Sequence, residues 1–261
     1  MVMSQRTLIM IHGFRGTHHG LALIAKELSS THTIVPDLPG FGEGDMLHHY
    51  DLDSYVEWLH GFILSHKLKK TPDLLGHSFG SIVCAAYAVK YPKTIRKLIL
   101  VNPIGAPALE GPRGILSKLA VVYYWIGKHL PARLGRAWLS SWASVMLMSS
   151  VMAKTNSKRL RKFIHRQHLT HFSSFDSPKS VYDGFVTSIS NSVRDAAKDI
   201  STKTLLIAGD KDDITPLEKQ QELCTLFPDA RLEVIKNVGH LTHYETPKEV
   251  AELVQAFIKS E

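Results

Sequence analysis

The chain has 261 residues, room for one large domain or a core with an inserted subdomain. Hydrophobic residues make up 44% and charged residues 21%, which excludes a disordered, collagen-like or disulfide-knit chain. The net charge of +7 is uneven: residues 103–200 carry 14 Lys and Arg against 5 Asp and Glu, or +9, which leaves −2 for the flanks.

The first apolar run, Leu8–Ile11, is too short for a secretory leader and has no small-residue cleavage site after it, so it reads as a buried strand, Thr7–Ile11. Gly20–Leu28 has helical spacing, with Leu21, Ile24, Ala25 and Leu28 on one face. A strand over Thr33–Pro36 runs into the turn-rich Asp37-Leu38-Pro39-Gly40-Phe41-Gly42. Helical spacing returns over Leu52–His66, then a short strand, Asp73–Leu75, and a helix, Ser81–Tyr91, stopped by Pro92. Leu98–Val101 is a fourth strand, stopped by Asn102-Pro103.

The middle segment breaks this rhythm. Residues 103–200 show no strand runs and two helical stripes, one through Leu116, Leu119, Val122, Tyr123 and Ile126, the other through Leu160, Phe163 and Ile164 among five basic residues. Ala137–Ala153 is uncharged for 17 residues, but its five serines and its length make a buried or surface-seeking helix rather than a membrane span of about 20 residues. Alternation resumes with strand Thr204–Ala208, helix Leu217–Leu226, strand Leu232–Ile235 and helix Val250–Ile258. Strands alternating with helices predict a parallel α/β sheet of about six strands. The expected organisation is a core of residues 1–102 and 201–261 with a helical insertion, 103–200, after the fourth strand.

Gly76-His77-Ser78-Phe79-Gly80 fits G-x-S-x-G, and it sits where that motif needs to sit, between a strand and a helix. A sharp turn there forces a strained backbone, the flanking glycines relieve crowding, and the helix N-terminus favours developing negative charge. Ser78 is the expected nucleophile. A serine hydroxyl needs a base. Fifteen histidines make residue type useless as a guide, so position decides: His240, after Gly239 in the loop following Leu232–Ile235, is the expected base, with His243 as competitor, read as a surface or supporting residue. The group that orients His240 is sought in Gly209-Asp210-Lys211-Asp212-Asp213-Ile214-Thr215-Pro216. Asp212, set between Gly209 and Pro216, is favoured over Asp210, a turn former, and Asp213, facing solvent or capping the next helix. The N–H groups of Phe14, in His12-Gly13-Phe14-Arg15-Gly16, and of Phe79 are the expected oxyanion donors, with His12 bracing the loop.

These motifs, in this order along nearly the whole chain, resemble the α/β-hydrolase superfamily, and within it the single-domain serine hydrolases with a helical cap, a group of esterases, C–C bond hydrolases and haloperoxidase-like members. The resemblance implies a catalytic triad of Ser78, Asp212 and His240, a cap over residues 103–200, and hydrolysis of a carboxylic ester through an acyl-enzyme. It leaves open C–C hydrolysis of a meta-cleavage product by the same triad, and a low-turnover binding protein on the same scaffold. The chain departs from the family pattern twice. Only six residues precede Thr7, so the family's N-terminal hairpin strands are expected to be missing, and Gly44 stands where relatives often carry serine.

No cofactor or metal is expected. His165, His168 and His171 have no acidic residue within their run, and Cys84 and Cys224 are too few for a zinc site or a disulfide framework. Those two cysteines fit a reducing, cytoplasmic compartment. The Lys158–Arg166 cluster lacks a nucleic-acid-binding module and reads first as a solvated cap surface, with weak contact with an anionic membrane surface as the alternative. Trp125, Trp138, Trp142 and Met146 are expected to line an apolar substrate pocket, since flexible methionine suits variable apolar ligands. The oligomeric state is open.

Overall fold

A computed structural model describes residues 6–106 and 114–260; residues 1–5, 107–113 and 261, and the side chains of 114–117 (among them Leu116 of the first stripe), lie outside the described residues. The strands are β1 (Thr7–Ile11), β2 (His32–Ile34), β3 (Asp73–His77), β4 (Leu98–Val101), β5 (Thr204–Gly209) and β6 (Ala230–Ile235). They form one sheet in the order β2-β1-β3-β4-β5-β6, every pair parallel. Period-two alternation divides the strand side chains between two cores. Ile9, Ile11, Leu74, Leu98, Leu100 and Leu206 face one side, and Leu8, Met10, Leu75, Ile99, Val101, Leu205 and Ile207 face the other. Both faces are buried, which is why these strands read as continuous apolar runs.

Helices α1 (His18–Glu27) and α12 (Pro247–Lys259) cover the second face through Leu21, Ile24, Val250, Val254 and Phe257. Helices α2 (Leu52–Ser65), α3 (Phe79–Lys90), α9 (Arg194–Ala197) and α10 (Leu217–Cys224) cover the first through residues such as Val56, Leu59, Ile82, Val83, Ala197 and Leu223. The short α11 (Thr242–Glu245) follows the loop after β6. Helix α3 begins at Phe79, two residues before the sequence places it, because the turn at Ser78 runs directly into it.

The segment between β4 and β5 is helical, as its periodicity predicts: α4 (Gly114–His129), α5 (Ala132–Leu139), α6 (Trp142–Met152), α7 (Lys158–His171) and α8 (Pro178–Ser190). Helix α8 carries Val181, Phe185 and Ile189 into the same apolar cluster as the sheet, and Tyr124 and Leu139 extend that cluster upward. A smaller cluster of Ala153, Ile164, Leu241 and Tyr244 seats α7 on α11. Among the described residues no helix is long and apolar enough to cross a membrane.

Candidate active site

The order of the strands reverses between β1 and β3, since the chain moves outward from β1 to β2 and in the opposite direction from β3 onward. In a parallel sheet the crevice outside the strand ends at such a point is the natural ligand site. The loops after β1 and β3 meet there.

Ser78 lies between β3 and α3 with φ +52° and ψ −120°, in the region L-residues avoid. Such a conformation costs on the order of 1–3 kcal/mol and persists only where its surroundings hold it. The glycines make it possible. A Cβ on Gly76 would lie 2.4 Å from the Gly80 carbonyl, and one on Gly80 would lie 2.4 Å from the Ile11 carbonyl. The Ser78 N–H donates to the Val101 carbonyl at 3.1 Å, which ties the turn to β4.

His240 arrives on the loop between β6 and α11, only 5% exposed. Its Nε2 lies 2.8 Å from Ser78 Oγ and its Nδ1 lies 2.7 Å from Asp212 Oδ2. With the carboxylate accepting from Nδ1–H, Nε2 is left to accept the serine proton. Asp212 is saturated with donors: Oδ1 accepts from the N–H groups of Ile214 and Thr215 at 2.7 and 2.9 Å, and Oδ2 also accepts from the Thr215 hydroxyl at 2.5 Å and the Asn102 amide at 2.8 Å. Burial alone would raise its pKa, but the charge of His240 and the hydrogen bonds from His240 and Thr215 outweigh it and bring it down to about 2. Asp212 is therefore a carboxylate at any working pH.

The loop after β1 is braced from within. His12 Nδ1–H donates to the Gly13 carbonyl at 2.8 Å, and its Nε2 accepts from the Leu38 N–H at 2.8 Å. Burial holds this ring below its ordinary pKa. The brace brings Gly13 so close that a Cβ on it would stand 3.1 Å from the Ser78 Cβ. Among the described residues neither the Phe14 N–H nor the Phe79 N–H has an acceptor.

The family model for the alpha/beta hydrolase fold matches residues 6–247. The chain belongs to the α/β-hydrolase family. Similar proteins include Lipase 3 of Moraxella sp. (strain TA144), 27% identical over 255 residues, covering 96% of this chain and 76% of that protein. Another is 2-hydroxy-6-oxo-2,4-heptadienoate hydrolase of Pseudomonas putida, 26% identical over 230 residues, covering 87% and 78%. A thermophilic esterase from Thermogutta terrifontis has the same fold, with a TM-score of 0.80, 21% identity, and coverage of 97% and 89%.

The structure brings Ser78, His240 and Asp212 into one hydrogen-bonded chain; Phe79 follows Ser78 directly, and Gly13, the neighbour of Phe14, stands close against Ser78. Asp213 instead pairs with Lys154, and Asp210 accepts from the Asn237 N–H at 2.6 Å, which ties its loop to the one after β6. His243 is not a surface residue. It is buried with its ring 4.3 Å from that of His77, and burial first, then the charge of His77, puts its pKa well below the ordinary value. Gly44 also finds its explanation, since a serine Cβ there would lie 2.5 Å from the Leu38 carbonyl and 2.8 Å from that of Asp37.

Trp125 and Trp138 are 49% and 41% exposed and pack on His129 and Tyr123, while Trp142 and Met146 line a groove on the outside of the cap. The rings that do pack around Phe14 are Phe41, Tyr124 and Phe185, at centroid distances of 5.5, 5.6 and 5.6 Å. Helical spacing identifies cap aromatics but not which face turns inward.

Two supporting residues escape sequence reading. Asn102 reads as a strand stop, yet it is buried, has φ +45°, donates to Asp212 and accepts from the Thr242 hydroxyl at 2.6 Å. Arg15, next to Phe14, is 1% exposed. Its Nη2 donates to the carbonyls of Leu139 (2.9 Å) and Phe172 (2.7 Å), and its Nε to Phe172 (3.1 Å). Those carbonyls lie at the C-terminal ends of α5 and α7, so two helix dipoles stand in for a carboxylate beside this buried cation.

Proposed function

We propose that this α/β-hydrolase is a serine hydrolase that cleaves carboxylic esters through an acyl-enzyme. One observation carries the reading: Ser78 Oγ, His240 and Asp212 stand in unbroken hydrogen-bond sequence, at 2.8 and 2.7 Å. The lipase and esterase names among its relatives support the ester class.

In the proposed reaction Ser78 Oγ attacks the ester carbonyl as its proton passes to His240 Nε2. Ionised Asp212 holds the ring through Nδ1–H and stabilises the imidazolium. The carbonyl oxygen, now negative, takes hydrogen bonds from the N–H groups of Phe14 and Phe79, with the N-terminus of α3 adding a favourable field. The tetrahedral adduct collapses, the alcohol leaves with the proton from His240, and a water activated by the same ring releases the acid. Nothing in the sequence requires a metal or cofactor. Segment 103–200 acts as the cap. Arg15 joins it to the Phe14 loop, and Lys154, paired with Asp213 and bonded through its N–H to Glu245 Oε1 at 2.9 Å, joins it to the loop of Asp212 and to α11.

The name of the Pseudomonas relative keeps C–C hydrolysis as a second reading. A panel of p-nitrophenyl esters of graded acyl length, set beside a ring-fission dienoate, separates the two. Turnover of esters that falls about 10⁵-fold in Ser78→Ala is the expected result. Cleavage of the dienoate without ester turnover would transfer the reading to C–C hydrolysis, and undiminished ester turnover by Ser78→Ala would sink both.

A further inference from the structure

Helix α6, Trp142–Met152, has no charged residue, yet it lies on the surface of the cap. Only Val145 and Ser149 are buried on it, while Trp142, Leu147 and Val151 are 67%, 68% and 57% exposed. A helix that is apolar all round is expected inside a core or against lipid, not facing water. Beside it runs α7, whose Lys158, Arg161, Lys162, His165, Arg166 and Leu169 recur at the spacing of one helical face. The opposite side of α7 is anchored, with Ile164 and His168 buried against the core side. Between the two helices lies a groove of about 660 Å³, lined by Trp142 and Met146 from α6 and by those basic residues from α7, with no carboxylate in its lining. Among the described residues Lys158, Lys162 and Arg166 form no ion pair.

We propose that this outer face of the cap, α6 with the basic side of α7, docks on the surface of a bilayer containing anionic phospholipid. Charge complementarity argues for that occupant. The cations of α7 meet the headgroup phosphates, while Trp142, Leu147 and Val151 enter the boundary between headgroups and acyl chains. A second copy of the chain would oppose the same cations to one another across a two-fold axis. With 11 residues α6 lies in the interface and does not span it. The docking rests on no catalytic assignment.

The test is co-sedimentation of the full chain with two kinds of vesicle, phosphatidylcholine alone and phosphatidylcholine with about one third phosphatidylglycerol, at low and high salt. The expected result is binding to the anionic vesicles at least about tenfold tighter than to the neutral ones. Each cation near an anionic surface is worth about fivefold, so Lys158→Gln with Lys162→Gln and Arg166→Gln should weaken that binding about a hundredfold without lowering the melting temperature. Leu147→Ser with Val151→Ser should remove the binding that survives high salt. Ser78→Ala should sediment as the wild type does, which keeps docking separate from hydrolysis. Equal binding to both vesicles, an unchanged affinity in the triple variant, or capture of a single-stranded oligonucleotide but not of anionic vesicles would overturn the proposal.

Discussion

The side-chain amide of Asn102 lies 2.8 Å from Asp212 Oδ2, so the end of β4 holds the acid carried on the loop after β5. Asn102 accepts in turn from Thr242, which follows His240 by two residues. One buried amide therefore sets the position of both partners of Ser78. At φ +45° asparagine and glycine are tolerated where other residues are strained. Asn102→Gly keeps the backbone and removes the amide. We expect it to lower kcat by about 10–100-fold with little change in KM, since a supporting hydrogen bond to an active-site ligand or base is commonly worth that much. Steady-state kinetics on a soluble ester check this, and an unchanged kcat would reduce Asn102 to a packing residue.

Arg15 couples the Phe14 loop to the cap through the Leu139 and Phe172 carbonyls. Arg15→Met leaves the Phe172 carbonyl without a donor and the Leu139 carbonyl with only the Tyr123 hydroxyl at 3.3 Å, at a cost of about 1–3 kcal/mol. Urea denaturation should show that loss, and limited proteolysis should cut the cap faster than the core. Arg15→Lys keeps a charge but cannot reach both carbonyls in one fork, so its loss should be smaller. Wild-type stability and wild-type cap protection in Arg15→Met would contradict the clamp.

How much of this was legible in the sequence depends on which interactions are local. The elbow was legible because its requirement is local: a strand, a turn too tight for side chains at Gly76 and Gly80, and a helix start. The alternation of runs likewise gave the parallel sheet, since strands buried on both faces leave no polar positions. Asn102 and Arg15 were not legible. Their partners lie far along the chain, and a lone arginine or asparagine looks the same whether solvated or buried. The orientation of the cap aromatics was not legible for a related reason. On helices that are apolar on several sides, the moment of the sequence does not say which side meets the core, and Tyr124 turns inward while its neighbour Trp125 turns out.

The buried histidines make a prediction about acid. Burial, together with the charge of His240 for the first ring and of His165 for the second, lowers His77 and His168 to about 3, against about 6.5 in an unfolded chain. Between those values the unfolded chain binds the extra protons. Stability from these rings is therefore complete above about pH 6.5 and is lost as pH falls toward 3, at about 1.4 kcal/mol per pH unit for each ring. Urea midpoints measured between pH 6 and pH 5 should fall with acid, and His168→Gln should flatten the slope by about 1 kcal/mol per pH unit. A slope identical to wild type would mean that His168 is protonated in the folded protein.

The central claim is that Ser78 is a nucleophile made reactive by His240 and Asp212. Intact-mass and peptide-mass measurement after treatment with a fluorophosphonate tests it most directly, because the reagent records the covalent step without a choice of substrate. The account predicts one adduct per chain, on Ser78, absent in Ser78→Ala and formed at least about a hundredfold more slowly in His240→Ala. No adduct on the folded wild-type protein, or an adduct on another residue that persists in Ser78→Ala, would contradict it.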